Sequence, residues 1–202
     1  MDPGPRVAIL ISGRGSNMVA LVDHAEALGI DVALVVSSRA SAPGLALAAE
    51  RGVPTVAIPA RRGMARADWD AQLQATLDAH GIHRVVLAGF MRILTDAFVA
   101  HWHGRIVNIH PSLLPAFPGL HPHQQALDAG VCITGCTVHL VAPGEVDGGT
   151  ILAQSAVPVH LDDDADSLAD RVLAAEHALY PETVARWVRG DIVVEDGRVV
   201  RR

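Results

Sequence analysis

Arg6 to Asn17 reads R-V-A-I-L-I-S-G-R-G-S-N, an apolar, β-branched run that passes directly into a glycine-rich turn. Arg6 to Ile11 shows no polar alternation, which predicts a strand buried on both faces of a parallel sheet. A helical pattern follows to Ala27 and stops at Gly29. Strand, glycine turn and helix N-terminus together form an anion cradle, because glycines let backbone N–H groups converge where the helix dipole favours negative charge. A plainer reading is a tight turn in which Ser16 or Asn17 caps the helix. A dinucleotide site would want a third glycine where Met18 stands and an acid closing the second strand, where Ser37 and Ser38 stand. NAD is therefore disfavoured.

Outward from this unit the chain keeps alternating. Strands are predicted at Asp31–Val36, Thr55–Ile58, Arg84–Ala88 and Arg105–His110, separated by helices at Ala42–Arg51, Asp68–Ala79 and Asp96–His101. A helix at Gln124–Ala129, strands at Thr134–Val141 and Ile151–Val159, a long amphipathic helix ending near Arg189 and a hairpin punctuated by Gly190 and Gly197 complete the pattern. The expected fold class is α/β: a three-layer α/β/α arrangement around a doubly wound, mainly parallel sheet. With 202 residues, one domain with a full core is expected.

Composition excludes several functions. The net charge is −6 and no basic cluster exceeds the pairs Arg61-Arg62 and Arg201-Arg202, so nucleic-acid binding is not expected. All 16 basic residues are Arg, which rules out a Walker-type or Schiff-base Lys. Mean hydropathy is +0.29, yet charges or glycines interrupt every apolar run short of a membrane span. Met1 to Arg6 gives no sign of a secretory signal. Cys132 and Cys136 are the only cysteines and form no C-x-x-C pair, so a cytoplasmic, reducing location is expected.

The chemistry concentrates in Val107 to His121, V-N-I-H-P-S-L-L-P-A-F-P-G-L-H. On a strand, Val107 and Ile109 point one way and Asn108 and His110 the other. Pro111 holds His110 extended and ends the strand there. Further on, V-A-P-G-E-V-D-G-G-T at Val141–Thr150 places Asp147 before two glycines. It reads either as a turn with a solvated Asp or as a partner for His110. Asn, His and Asp without a Ser or Cys nucleophile suit direct acyl-type transfer: the amide and a protonated imidazole stabilise an oxyanion, and the Asp raises the His pKa. Ser112 is not on a nucleophile elbow. A metal site is the rival reading, since His101, His103, His110, His121, His123 and His139 fall in this region, but no H-E-x-x-H or spaced third carboxylate accompanies them. The cluster G-F-M-R-I-L at Gly89–Leu94 is either core or the lining of a pocket for a flat ring.

G-R-G-S-N, L-A-G-F-M-R-I-L, V-N-I-H-P-S-L-L-P-A-F-P-G-L-H, D-G-G-T-I-L-A-Q and A-E-H-A-L-Y-P, in this order over about residues 6–190, resemble the folate-dependent phosphoribosylglycinamide formyltransferase family. The resemblance implies a single formyltransferase domain over 1–202, with a Rossmann-like half at about 1–100 and a catalytic and folate half at about 101–202. It implies formyl transfer from 10-formyltetrahydrofolate, as co-substrate and without a metal, to glycinamide ribonucleotide in purine synthesis. The alternative is another 10-formyltetrahydrofolate-dependent transferase or hydrolase with a different acceptor. Residue by residue, Gly15, Ser16 and Asn17 match a phosphate loop and Glu176 a contact to the ribose hydroxyls. Met91, Arg92, Ile93, Leu94 and Val99 match a folate pocket, with Val141 and the 142–147 loop closing over the pterin. Asn108, His110 and Asp147 match the catalytic trio. Leu173 departs from the pattern, since some members carry a Lys there; backbone amides or an Arg such as Arg171 are expected to take its place. Partners are small molecules, with neither nucleic acid nor membrane, and a homodimer is left open.

Overall fold

The computed structural model describes residues 4–195 and 198–201. Met1–Pro3, Gly197 of the expected hairpin turn and Arg202 of the terminal Arg pair lie outside the described residues. The elements are β1 (Arg6–Ile11), α1 (Ser16–Leu28), β2 (Asp31–Ser37), α2 (Pro43–Glu50), β3 (Thr55–Ala57), α3 (Arg66–Ala79), β4 (Arg84–Leu87) and α4 (Asp96–His101). They continue with β5 (Ile106–His110), α5 (Pro122–Asp128), β6 (Ile133–Leu140), β7 (Ile151–Pro158), α6 (Ala165–Arg189), β8 (Ile192–Glu195) and β9 (Arg198–Arg201).

β1 to β7 form one sheet in the order β3-β2-β1-β4-β5-β6-β7, and β8 and β9 form a separate antiparallel pair. The first five strands of that order are parallel; β6 runs antiparallel to β5, and β7 to β6. The expected doubly wound sheet is present. The order reverses between β1 and β4, the switch point where open α/β sheets take ligands.

Alternation along β1 divides the core. Val7, Ile9 and Ile11 pack with α1 and α6 residues such as Leu21 and Val184, whereas Ala8 and Leu10 pack with Trp69 and Leu73 of α3 and Phe98 of α4. Helices thus cover both faces of the sheet. α1 begins at Gly15, whose φ is +80° and which provides no side-chain cap, so neither Ser16 nor Asn17 occupies the capping position. Gly15 lies against Gly44 of α2: a Cβ on Gly15 would come within 3.0 Å of the Gly44 Cα, and one on Gly44 within 3.2 Å of the Gly15 Cα.

α6 is started by a capping box, in which Asp164 accepts from the Ser167 N–H and Ser167 accepts from the Asp164 N–H. Further along α6, the fully buried Tyr180 donates its hydroxyl to the Leu87 carbonyl at the end of β4, at 2.8 Å. Tyr180→Phe is expected to cost about 1–2 kcal/mol, the range for removing a buried hydrogen bond while leaving its acceptor in place. Urea denaturation would read it as a lower midpoint at unchanged slope. An unchanged midpoint would show that packing alone seats α6.

Candidate active site

Asn108 and His110 are two residues apart on β5 and so share a side, and the turn at Pro111 leaves His110 as the final strand residue. The His110 ring is buried between two acceptors: Nδ1 lies 3.3 Å from Asp147 Oδ2, and Nε2 lies 2.9 Å from the Phe117 carbonyl. Neither a carboxylate nor a carbonyl can donate, so both ring nitrogens carry a proton and the ring is an imidazolium. Burial by itself pushes the His110 pKa down. The Asp147 and Phe117 bonds, with the charges of Asp147 and Glu176, outweigh it and raise the pKa above its usual value.

Asp147 has φ of +53°, a conformation that Asp tolerates better than most residues. The same Oδ2 accepts the Gly119 N–H at 2.7 Å, so one carboxylate joins the 141–150 loop, the 111–121 loop and the His110 ring. Burial opposes its ionisation, but the bonds to His110 and Gly119 and the charge of His110 prevail and lower its pKa. The second glycine after it is required: Gly149 has φ of +105°, and a Cβ there would overlap the Leu140 carbonyl.

β5 and β6 pair so that His139 faces Asn108 across the ladder. His139 Nδ1 lies 3.0 Å from both the Leu140 and the Gly148 carbonyls and must donate, leaving Nε2 bare to accept the Asn108 Nδ2–H at 3.2 Å. Burial is the main cause lowering the His139 pKa, which keeps the ring neutral and this direction fixed. His139 therefore orients the Asn108 amide, a role its place among the histidines of the metal reading did not reveal. Thr137 and Gln154 brace the loop after His110: Thr137 donates to the Ser112 carbonyl and accepts the Leu114 N–H, and Gln154 donates to the Leu114 carbonyl. Ser112 is itself fully buried and donates to the Ala116 carbonyl, which agrees with setting it aside as a nucleophile. Cys136 is no nucleophile either, since burial and then the Glu176 charge push its thiol up to about 12.

Gly15, Ser16 and Asn17 line a cavity of about 300 Å³ at the β1–β4 switch point, together with Ser12, Arg39 and Met91. Ser12 ties the surrounding loops, as its Oγ accepts the Met91 N–H at 2.9 Å and lies 2.7 Å from Ser38 Oγ. Asn17 Nδ2 donates to Glu176 Oε2 at 2.8 Å, which brings the expected phosphate loop and the expected ribose contact together. Burial raises the Glu176 pKa to about 7, against the bond from Asn17 and the charge of His110.

The 89–94 segment divides. Met91 and Ile93 are 65% and 59% exposed, although large and apolar, whereas Leu94 and Val99 are buried in the core beside Trp69 and Phe98. Arg92 lies with its guanidinium carbon 4.7 Å from the Trp69 ring centroid, and its Nε is buried without a partner. Val141 packs against the same core, and Val146 is 62% exposed. The Gly144 N–H donates to Asp96 at 2.8 Å, which joins the 142–147 loop to the end of this segment. Arg171 does not take the place of the Lys: its two terminal nitrogens each lie 2.7 Å from the Asp163 carboxylate, and one also donates to the Pro158 carbonyl. Among the described residues no group of three or more His, Cys, Asp or Glu is placed to hold a metal, and no helix is long and apolar enough to cross a membrane.

The sequence and the fold have known counterparts. The formyl transferase family model matches residues 5–184, and the chain belongs to that family. Within it, the chain is 42% identical over 192 residues to the phosphoribosylglycinamide formyltransferase of Escherichia coli strain K12, covering 94% of this chain and 90% of that protein. It is 47% identical over 193 residues to the trifunctional purine biosynthetic protein adenosine-3 of Drosophila melanogaster, covering 94% of this chain but only 14% of that much longer protein. The crystal structure of glycinamide ribonucleotide transformylase 1 from Symbiobacterium toebii superposes with a TM-score of 0.94 at 42% identity, covering 100% of this chain and 95% of that one.

Asp147→Asn is expected to lower the His110 pKa, because it removes the opposite charge that favours the imidazolium. A raised folded-state pKa adds stability that is complete below the unfolded value, about 6.5, and is lost as the pH rises through the folded value, so the variant should also lose stability on the acid side. NMR titration of the imidazole would decide it, and an unshifted curve would reduce Asp147 to a turn residue. Glu176 gives a second pH signature. With its pKa raised from 4.5 to about 7, it destabilises the fold increasingly as pH rises across that interval. The stability of Glu176→Gln relative to the native protein should therefore grow between those pH values, and a constant difference would place the carboxylate in water.

Proposed function

We propose that this chain transfers the formyl group of 10-formyltetrahydrofolate to the amino group of 5-phosphoribosylglycinamide, a step in de novo purine synthesis, and that residues 1–202 act as a single domain in doing so. The observation that carries this reading is the buried imidazolium of His110, held by Asp147 beside the oriented Asn108 amide and flanked by two different surfaces. One is the glycine loop Gly15–Asn17 with Glu176, suited to a phosphorylated ribose; the other, suited to a flat ring, is drawn from the exposed apolar residues Ile93 and Val146, with Met91 at the edge of the glycine-loop cavity between them in this reading. In this reading the folate contacts of Arg92, Leu94, Val99 and Val141 are divided. Leu94, Val99 and Val141 shape the pocket from the core, while Arg92 has a buried Nε free to donate. The two free cysteines support a reducing, cytoplasmic setting for this activity.

The acceptor amine adds to the formyl carbon, forming a C–N bond and moving the carbonyl electron pair onto oxygen. His110 Nε2–H leaves the neutral Phe117 carbonyl for this oxyanion, a stronger acceptor, and the Asn108 amide supplies the second donor. Asp147 holds the imidazolium through Nδ1 and keeps it charged. The attacking nitrogen loses a proton, N10 of the folate gains one, and collapse of the tetrahedral adduct breaks the bond to N10 and releases tetrahydrofolate. Holding both substrates in one site supplies the proximity that the reaction needs.

Purified protein given 10-formyltetrahydrofolate should release tetrahydrofolate only when glycinamide ribonucleotide is added, with one formylated acceptor per turnover. Release with water alone would identify a hydrolase, and release only with another amine would identify a different acceptor. Asp147→Asn and His110→Asn should each cut kcat by about a thousandfold or more and combine far from additively, as expected of groups that act as one unit.

A further inference from the structure

The cavity at the switch point raises a charge problem. A phosphate monoester is close to a dianion at neutral pH, and the chain has no Lys. Arg171, on α6, is bound in a bidentate pair with Asp163. Two arginines remain among the residues lining the cavity, Arg14 and Arg39, and neither pairs with a carboxylate among the described residues. A second feature points to a ligand: Asn17, 9% exposed, lines the cavity, and its Oδ1 has no partner although its Nδ2 is bound to Glu176; as an acceptor it suits a hydroxyl or amine of the acceptor molecule and leaves the phosphate oxygens to cationic and backbone donors.

The two arginines differ in how they are mounted. Arg14 lies in the glycine loop itself, between Gly13, whose carbonyl accepts the Gly44 N–H at 3.2 Å, and Gly15, at φ +80°. Arg39 follows β2 in a turn closed twice by Ser37, whose Oγ accepts the Arg39 N–H at 3.1 Å and donates to the Arg39 carbonyl at 2.8 Å. That turn is also joined to the glycine loop, through Ser38 N–H to the Ile11 carbonyl at 3.2 Å and through the Ser38–Ser12 hydroxyl pair. Serines at 37 and 38 keep the end of β2 free of the acid that a dinucleotide site would place there and that would repel a phosphate.

We propose that Arg39, delivered from the turn after β2, is the cation that neutralises the acceptor's phosphate in this chain. The inference rests on the proposed phosphorylated acceptor and assigns the recognition to β2 rather than to α6. In this assignment the turn fixes the Arg39 backbone at the cavity wall and its exposed guanidinium reaches the phosphate oxygens, while the uncapped first turn of α1 supplies backbone N–H groups.

The test compares kcat/KM for the ribonucleotide acceptor and for its dephosphorylated ribonucleoside in the native protein and in Arg39→Ala, Arg39→Lys, Arg14→Ala and Arg171→Ala. Arg39→Ala should lower the phosphorylated-to-dephosphorylated ratio by about 10–100-fold, the scale of one charged hydrogen bond. Arg39→Lys should restore part of it, and Arg171→Ala should leave it unchanged. A ratio unchanged in Arg39→Ala, or one lost in Arg14→Ala or Arg171→Ala instead, overturns the assignment. Thermal stabilisation by inorganic phosphate, present in the native protein and lost in Arg39→Ala, is read in parallel and does not depend on turnover. A native protein that fails to formylate the ribonucleotide but shows this phosphate effect would refute the proposed activity while retaining Arg39 as the anion's partner; absence of the effect from the native protein would overturn the site.

Discussion

The reversal of direction at β6 is the constraint on which the catalytic geometry depends. A parallel strand beside β5 would have been reached by a crossover, and nothing would have faced Asn108 in an antiparallel register. Because β6 runs the other way, His139 stands opposite Asn108, Thr137 stands opposite His110, and the chain returns through the 141–150 loop that carries Asp147. One pairing thus supplies the residue that orients the amide, the residue that braces the proline-rich loop, and the carboxylate that charges the imidazole.

The neighbouring titratable groups settle into distinct states, each for an identifiable reason. His110 is charged because both its nitrogens meet acceptors. His139, on the next strand, is neutral because burial outweighs its contacts, and the charge on His110 adds to the effect. His123 is pushed down first by burial and then by the same charge. Glu176 is pushed up to about 7 by burial, against the Asn17 bond and the charge of His110.

Much of this was legible in the sequence. The strand boundaries agree to within about a residue because glycines at 29, 52 and 81 and Pro111 punctuate the chain by local backbone preference. The pairing of Asp147 with His110 could be anticipated because charge complementarity and the flanking glycines are visible without coordinates. What stayed hidden depends on register and packing between distant segments. His139 is one of several scattered histidines until β6 is aligned with β5. Leu94 and Ile93 are adjacent and equally apolar, yet one enters the core and the other faces out. Arg171 looks available until Asp163 is found beside it, and Gln154 gives no hint that it supports the Leu114 carbonyl.

Gly15 and Gly44 show what such distance means for the sequence itself. A methyl group on either would press to 3.0–3.2 Å on the Cα of the other, and one on Gly44 would also meet Ile11 Cδ1 at 2.6 Å and the Gly13 carbonyl at 3.1 Å, so the two positions are constrained together. Gly15 also requires its left-handed backbone, but Gly44 has an ordinary helical place near the start of α2 and no local reason to be glycine. A larger residue at one cannot be offset by any choice at the other, since glycine is already the smallest. The seam between the first two β–α units is therefore closed to compensating change, and variation in the loops around it has to work around two fixed points rather than one.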